Sequence, residues 1–209
     1  MNRILIVCVL GTAGLSNVRA ALDLTPTPVE YTNEGMVFKQ LVFKEGDRRV
    51  TYEPPQKWSY RGAAGRLQLV PPNNVCAEAD IQAIPLATPL PALDDATVGA
   101  LKQQFMTSLP PGAQYVTVVG ETPEAIPLQG SHTYEISASY QTLGETFVRT
   151  AIFANFPETQ LIFRFTARKT EFDKLYREFR GSILSWRQMD PQPPRGMPSA
   201  ALSASPVAH

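Results

Sequence analysis

The chain has 209 residues, 44% of them hydrophobic, with 19 basic side chains against 19 acidic ones. That length fits one domain with a substantial core, and a net charge of zero provides no electrostatic footprint for nucleic acid. Two cysteines and two histidines are too few for a zinc centre built in the usual way from three or four nitrogen and sulfur ligands.

The N-terminus reads as a secretory signal peptide over residues 1–20. Met1-Asn2-Arg3 gives a short positive start, Ile4 to Leu15 an apolar run, and Val18-Arg19-Ala20 the small or aliphatic residues that signal peptidase reads. Cleavage is expected between Ala20 and Ala21. A run of 12 apolar-rich residues falls short of the ~20 that span a bilayer, so no stable transmembrane segment is expected after cleavage. Cys8 comes before the apolar region is complete and does not suit a lipoprotein. The mature chain then keeps only Cys76, which cannot form an intramolecular disulfide. The expected location is periplasmic or secreted.

Residues 21–35, with Pro26 and Pro28 and no periodicity, read as a linker. Met36 to Lys44 and Arg48 to Glu53 read as a hairpin turning at Glu45-Gly46-Asp47 and stopped by Pro54-Pro55. Trp58 and Tyr60 follow that stop, and Gly62 and Gly65 mark a flexible turn. Arg66 to Val70 alternates as a strand, ended by Pro71-Pro72. Ala79, Ile81 and Ala83 alternate with Asp80 and Gln82 in another strand from Glu78 to Leu86. After a loop with Pro89 and Pro91, Asp94 or Asp95 caps a helix that runs to Leu109, with Val98, Leu101, Phe105 and Leu109 on one stripe. Pro110-Pro111-Gly112 ends it. Gln114 to Glu121 reads as a strand in which Tyr115, Thr117 and Val119 oppose Val116 and Val118.

Thr133 to Trp186 is the organising stretch. Tyr134, Ile136, Ala138 and Tyr140 point one way, and Glu135, Ser137 and Ser139 the other. Gly144 turns the chain into Thr146 to Asn155, where Phe147, Arg149, Ala151 and Phe153 share one face and Val148, Thr150, Ile152 and Ala154 the other. Both faces are apolar, so both must be covered. Pro157-Glu158 turns into Gln160 to Ala167. The period then changes from two to 3.6. Phe172, Leu175, Tyr176, Phe179 and Ile183 form a helical stripe, with Thr170 and Asp173 reading as a capping box and Lys174, Arg177 and Arg180 facing water. Residues 188–209 are rich in Pro, Ala and Ser and read as a disordered tail. The order predicts an α+β fold with a mainly antiparallel sheet flanked by helices, an α/β/α sandwich, over residues 36–187.

Val50-Thr51-Tyr52-Glu53-Pro54-Pro55-Gln56-Lys57-Trp58 is similar to the strand, proline, tryptophan opening of the PsbP-like family, which has a Mog/PsbP-like α/β/α sandwich. Gly130 to Tyr140, Phe147 to Phe153, Leu161 to Ala167 and the closing helix that ends Phe179-Arg180-Gly181-Ser182-Ile183-Leu184-Ser185-Trp186 continue the resemblance. It covers Met36 to Trp186. The resemblance implies an antiparallel sheet between helices in an exported bacterial member. Members include extrinsic photosystem II subunits and, on the same fold, nuclear-import factors that bind a small GTPase. Both are binding proteins, and the signal peptide argues against the nuclear role. Neither binding surface carries over residue by residue.

The chemistry in the sequence is sparse. His132 follows Gly130-Ser131 without a nucleophile elbow, no Gly-rich phosphate loop follows a strand, and the oxygen-ligand candidates are Asp94-Asp95 and Asp80 with Glu78. No catalytic residue, metal or cofactor is expected. The site-like residues are Arg149, a charge on an apolar face that must be paired or reach water, Arg164 on the next strand, and Trp58. Arg149 contacts an anion or partner, or snorkels and bridges to Glu135; Trp58 is a core plug or a partner anchor. The preferred expectation is an exported non-enzymatic accessory or binding protein contacting an envelope or other extracytoplasmic protein. The alternatives are a small-molecule or lipid carrier with a sheet–helix cavity lined by Phe105, Phe153 and Phe163, and an atypical hydrolase around His132.

Overall fold

The computed structural model describes residues 21–189 apart from 75, 91 and 129. The expected signal peptide, residues 1–20, and most of the expected tail, residues 190–209, lie outside the described residues. The described chain is mainly antiparallel sheet with two helices. Seven strands form the larger sheet, in the order β4 (Ser59–Ala63), β5 (Arg66–Val70), β6 (Glu78–Pro85), β10 (Thr159–Arg168), β9 (Glu145–Asn155), β8 (His132–Thr142) and β7 (Gln114–Pro123). Between β6 and β7 the helix α1 (Asp95–Thr107) carries the chain to the far edge. A β7-β8-β9-β10 meander then returns it to lie against β6, and α2 (Lys169–Ile183) follows β10 directly.

Alternation decides the layers. Ile136 pairs with Ala151, and Phe153 with Ile162. These side chains share the face on which α1 lays Leu101 and Phe105, closing one core with Tyr134 and Ala138. The opposite face carries Ile152, Ala154, Leu161, Phe163 and Phe165, and on it lie Phe172, Phe179 and Ile183 of α2. Both faces of the central strands are therefore covered, as their two-sided apolar pattern requires.

The second face carries more than a helix. The early hairpin is not part of the larger sheet. It belongs to a separate antiparallel sheet in the order β1 (Asp23–Asn33), β2 (Met36–Glu45), β3 (Arg48–Tyr52), β11 (Arg187–Met189). Leu41, Phe43, Val50 and Tyr52 point inward from it. Trp186, leaving α2, joins the layers: its ring centroid lies 5.8 Å from that of Phe43, 5.9 Å from Tyr52 and 5.5 Å from Phe163.

Several expectations are corrected. Residues 21–35 are not a linker. β1 occupies most of them, with Leu24 fully buried and Leu22, just before the strand, buried beside it. Pro26 and Pro28 mislead because β1 is an edge strand, where an N–H facing outward has no ladder bond to lose. The tail does not start at 188, since Gln188 and Met189 pair with Val50 and Arg49. The Gly62 region is strand β4, not a flexible turn. A Cβ on Gly62 would meet Leu24 O and, at 2.7 Å, Pro26 Cδ, so glycine is needed where β1 crosses β4. Thr170 is not the cap of α2. Arg168 holds the N-cap position with no side-chain bond, because β10 runs straight into the helix. Arg180 does not simply face water: its Nη2 donates to Ala125 O at 2.6 Å. Asp94 does cap α1, accepting from Thr97 N at 2.8 Å.

Leu24 separates strand from linker. Leu24→Ala is expected to cost about 2–5 kcal/mol in urea unfolding followed by circular dichroism, the usual range for a buried leucine. A linker residue would cost nothing measurable.

Candidate functional site

Arg149 and Arg164 are brought together on the α1 face. Arg149 lies on β9 opposite Ala138, and Arg164 on β10 opposite Ala151, which makes the two diagonal neighbours. Arg149 does not reach outward. Its Nε donates to Thr166 Oγ1 at 2.9 Å and its Nη1 to the carbonyl of Ser108, the C-cap of α1. The guanidinium closes the C-terminal end of the helix, where cations are favoured. Burial holds its pKa below the ordinary arginine value. The expected bridge to Glu135 does not form. Glu135 alternates to the other face, where it accepts from Tyr176 Oη at 2.7 Å and pairs with Arg180 at 3.4 Å.

Arg164 shares a counterion with Arg66. Each places a guanidinium nitrogen 3.5 Å from Oδ2 of Asp80, which is 2% exposed. Burial is the largest influence on the Asp80 carboxyl and raises its pKa, while Arg164 and Arg66 oppose the rise. Asp80 therefore answers the arginines and is not free for an oxygen-ligated cation. Among the described residues no three His, Cys, Asp or Glu side chains stand close enough to hold a metal.

Trp58 sits elsewhere, beneath α2. The turn after Pro54-Pro55 closes with Trp58 N donating to Pro55 O at 3.2 Å. The indole N–H donates to Glu178 Oε2 at 3.1 Å, and the ring packs on Phe165 and Phe179. The residue is 5% exposed, so most of it plugs the core. The remaining edge lies in a cleft of about 650 Å³ between β2, the Glu53–Tyr60 segment and α2. Phe38, Pro54, Pro55 and Tyr60 supply apolar wall; Glu53, Glu178, Lys39 and Lys57 supply charge.

The walls are fixed by bonds between residues distant in sequence. Ser182 donates to Phe179 O at 2.6 Å, and its oxygen meets Tyr52 Oη at 2.7 Å. Ser185 Oγ accepts from Glu53 N at 2.8 Å and donates to Ser182 O at 2.6 Å. Tyr31 Oη donates to Glu53 Oε1 at 2.8 Å and stacks on Phe38. Burial pushes the Tyr52 phenol above its ordinary pKa. These hydroxyls are structural partners of the backbone and of one another.

The other candidates do not assemble. His132 Nδ1 lies 2.8 Å from Glu124 Oε1 on the surface, while the adjacent Ser131 hydroxyl is turned to Leu128 O. Phe105 and Phe153 lie in the α1 core and Phe163 in the α2 core, so the three do not line one cavity. Phe153 pairs with Ile162 and Phe163 with Ile152, so the two rings face opposite sides of the sheet. Sequence reasoning missed Asp80 as the partner of Arg164, and Glu178, Ser182 and Ser185 as cleft residues. Arg164 on an apolar strand did signal that a buried acid must exist; the register that puts Arg164 opposite Asp80 identifies it.

Comparison with known proteins gives fold-level likeness only. No family model matches the chain, and no curated protein matches it. Among solved structures, it is similar to LpqN of Mycobacterium tuberculosis, described as involved in cell envelope biogenesis, with TM-score 0.47 and 15% identity over 79% of this chain and 90% of LpqN. A Pseudomonas aeruginosa protein of unknown function superposes with TM-score 0.43 and 11% identity over 79% and 98%. Cyanobacterial PsbP (CyanoP) of Synechocystis superposes with TM-score 0.42 and 10% identity over 85% and 98%. No residue role passes from them to this chain. No helix among the described residues is long and apolar enough to cross a membrane.

Asp80 gives a test of the charge cluster. A raised carboxyl contributes stability that is fully present below its unfolded pKa, ~3.9, and is lost as pH rises through the folded value. The urea midpoint of the native chain is expected to fall as pH rises above that value, and Asp80→Asn is expected to flatten the fall. Asp80→Ala leaves Arg164 without its counterion and is expected to cost about 3 kcal/mol at neutral pH, the low end for a broken buried pair because Arg66 is half exposed.

Proposed function

We propose that this chain is an exported, non-enzymatic binding protein whose recognition site is the cleft between α2 and the Glu53–Tyr60 segment, and that its occupant is an extended segment of an envelope protein. The cleft itself carries this reading. Its volume of about 650 Å³ falls in the usual range for binding pockets, roughly 300–1,000 Å³. Pro54-Pro55 and the serine and tyrosine bonds described above hold its walls without an occupant, which lowers the ordering cost of binding.

The chemistry of the lining suggests the occupant. Lys39 and Lys57 balance Glu53 and Glu178 among its charged residues, so attraction by net charge is weak. Affinity would come from burying apolar surface against Phe38, Tyr60 and the edge of Trp58, at about 25 cal/mol per Å² before binding costs. Proline or aliphatic side chains on an extended backbone suit such walls. Arg149 and Arg164 are assigned no ligand, because Arg149 donates to Ser108 and Thr166 and the charge of Arg164 is paired with buried Asp80. The enclosure also suits a small amphipathic molecule, the second reading of the same cleft.

A photo-crosslinking amino acid placed at Tyr60 tests both. In the native cell envelope it is expected to give one dominant protein adduct, absent when the same group replaces Thr146 of β9, which does not line the cleft, and reduced at least tenfold by Phe38→Ala. No adduct at position 60 above that at 146 sinks the protein-partner reading. A co-purifying small molecule in native mass spectrometry, lost in Phe38→Ala, selects the second.

A further inference from the structure

The larger sheet has two edges, and the molecule treats them differently. At one, β4 is five residues long and is crossed by β1, with Leu24 N donating to Ala64 O at 2.9 Å. In the smaller sheet β1 carries Pro26, Pro28 and Glu30, and β11 is only three residues long. Short strands, prolines, charges and coverings are the devices that keep sheet edges from pairing. β7 has few of them. It is ten residues long, every residue is exposed, and no strand among the described residues pairs with its outer edge. Tyr115 is 76% exposed, Val119 57% and Val118 43%. Its one terminal proline is Pro123. Two bulges, between Gln114 and Thr117 and between Val118 and Gly120, are its remaining guards.

The charge on β7 is also already neutralised. Glu121 is its one ionisable acid or base, and within the same molecule it accepts from Lys102 Nζ at 2.7 Å and from Tyr134 Oη at 2.9 Å. Those two partners hold the Glu121 carboxyl below its ordinary pKa, Lys102 first. The strand therefore presents apolar side chains and backbone polar groups, with no charge awaiting a partner.

We propose that β7 is a self-association surface, pairing antiparallel with β7 of a second copy about a two-fold axis normal to the sheet and centred on Val118. A two-fold normal to the sheet keeps side chains on their own faces, so a residue must meet itself at the centre. Val118 and Val119 both overlap nine of the ten residues, and Val119 lies in the second bulge, so the axis falls on Val118. This register puts valine on valine and Tyr115 beside the mate's Glu121. The two Glu121 carboxylates fall six residues apart, ~20 Å at strand rise, well beyond the ~8 Å screening length. Like charges therefore do not oppose the pairing. A contact ten residues long and one sheet thick, ~33 by ~10 Å, is smaller than the ~800 Å² per partner of a standard interface. The dimer is therefore a weak, reversible one, and the closed sheet runs to fourteen strands, twice the seven of one copy.

Sedimentation velocity of the mature chain, residues 21–209, from micromolar to millimolar concentration reads the prediction. The expected result is a reversible monomer–dimer equilibrium with at least tenfold weaker association in Val118→Lys and in Val118→Glu, each with native circular dichroism. An equimolar mixture of the two variants is expected to recover the dimer, because opposite charges then meet at the axis. A chain monomeric throughout the range overturns the proposal, as does a dimer that Val118→Lys leaves intact. If only a chain ending at Met189 dimerises, the edge is covered by residues 190–209 and the proposal is equally overturned. A mixture that stays monomeric overturns the register at Val118. None of these outcomes depends on the cleft, and Tyr60→Ala is expected to leave the equilibrium unchanged.

Discussion

The central pair β9 and β10 has two apolar faces, and the other layers are placed by the need to cover both. Ile152, Ala154, Phe163 and Phe165 on one side and Ala151, Phe153 and Ile162 on the other are all essentially inaccessible to water. Each such face loses tens of cal/mol for every Å² left in water. α1 covers the face of Ala151, Phe153 and Ile162. The face of Ile152 and Phe163 is larger, running from β5 to β9, and α2 alone does not span it. The smaller sheet fills what remains, and Trp186 packs into the junction. The cleft is a consequence. It lies where a helix, a sheet and the Pro54–Tyr60 crossing converge without filling the space between them.

The same constraint explains why charge enters the interior. α1 ends with the carbonyl of its C-cap, Ser108, turned toward β9, where the helix itself supplies no donor. Arg149 supplies the missing donor from the strand below. A second arginine as its diagonal neighbour raises the local positive potential, and Asp80 answers it at the cost of its own burial. This is a connected set, each member present because of the one before. Such clusters resemble binding sites in sequence because an arginine amid apolar residues signals either role. Here the hydrogen bonds point inward.

The meander and both helices were legible because their periods are clean. Tyr134 to Tyr140 alternates over seven residues, and Phe172 to Ile183 keeps a helical stripe. What failed to show depended on partners far away in sequence. β1 was hidden by Pro26 and Pro28, whose tolerance rests on an edge position that only the completed sheet defines. Gly62 was read as loose, yet it is fixed by Leu24 and Pro26, nearly forty residues earlier. The Thr170 capping signature is real in composition, but β10 delivers the chain to α2 in helical register and the cap goes unused. Of the three site-like residues, Arg149 and Arg164 are expected from sequence only on neighbouring strands, and the register is what makes them diagonal neighbours on one face; Trp58 reaches the cleft only through its edge. Glu178, Ser182 and Ser185 lie off the stripe of α2 and look like ordinary solvated polar positions until β3 and the Glu53–Trp58 crossing are brought against them.

The two proposed surfaces lie at opposite edges of the larger sheet, and that placement has a consequence. The cleft includes Ser59 and Tyr60 of β4, the first strand in the order, while β7 is the last. A pair joined at β7 would leave both clefts open and facing away from the junction. Thirteen strand gaps at ~4.8 Å each separate them by roughly 60 Å. A lone segment in one cleft gains nothing from such an arrangement. A partner that repeats its segment at that spacing gains the effective concentration of a second, intramolecular binding event, worth factors of 10²–10⁴ over one site. Neutral apolar clefts of modest affinity, carried on a weak dimer, would thus favour ordered arrays over isolated copies of the same segment. The discrimination comes from geometry, with no stronger contact in either cleft.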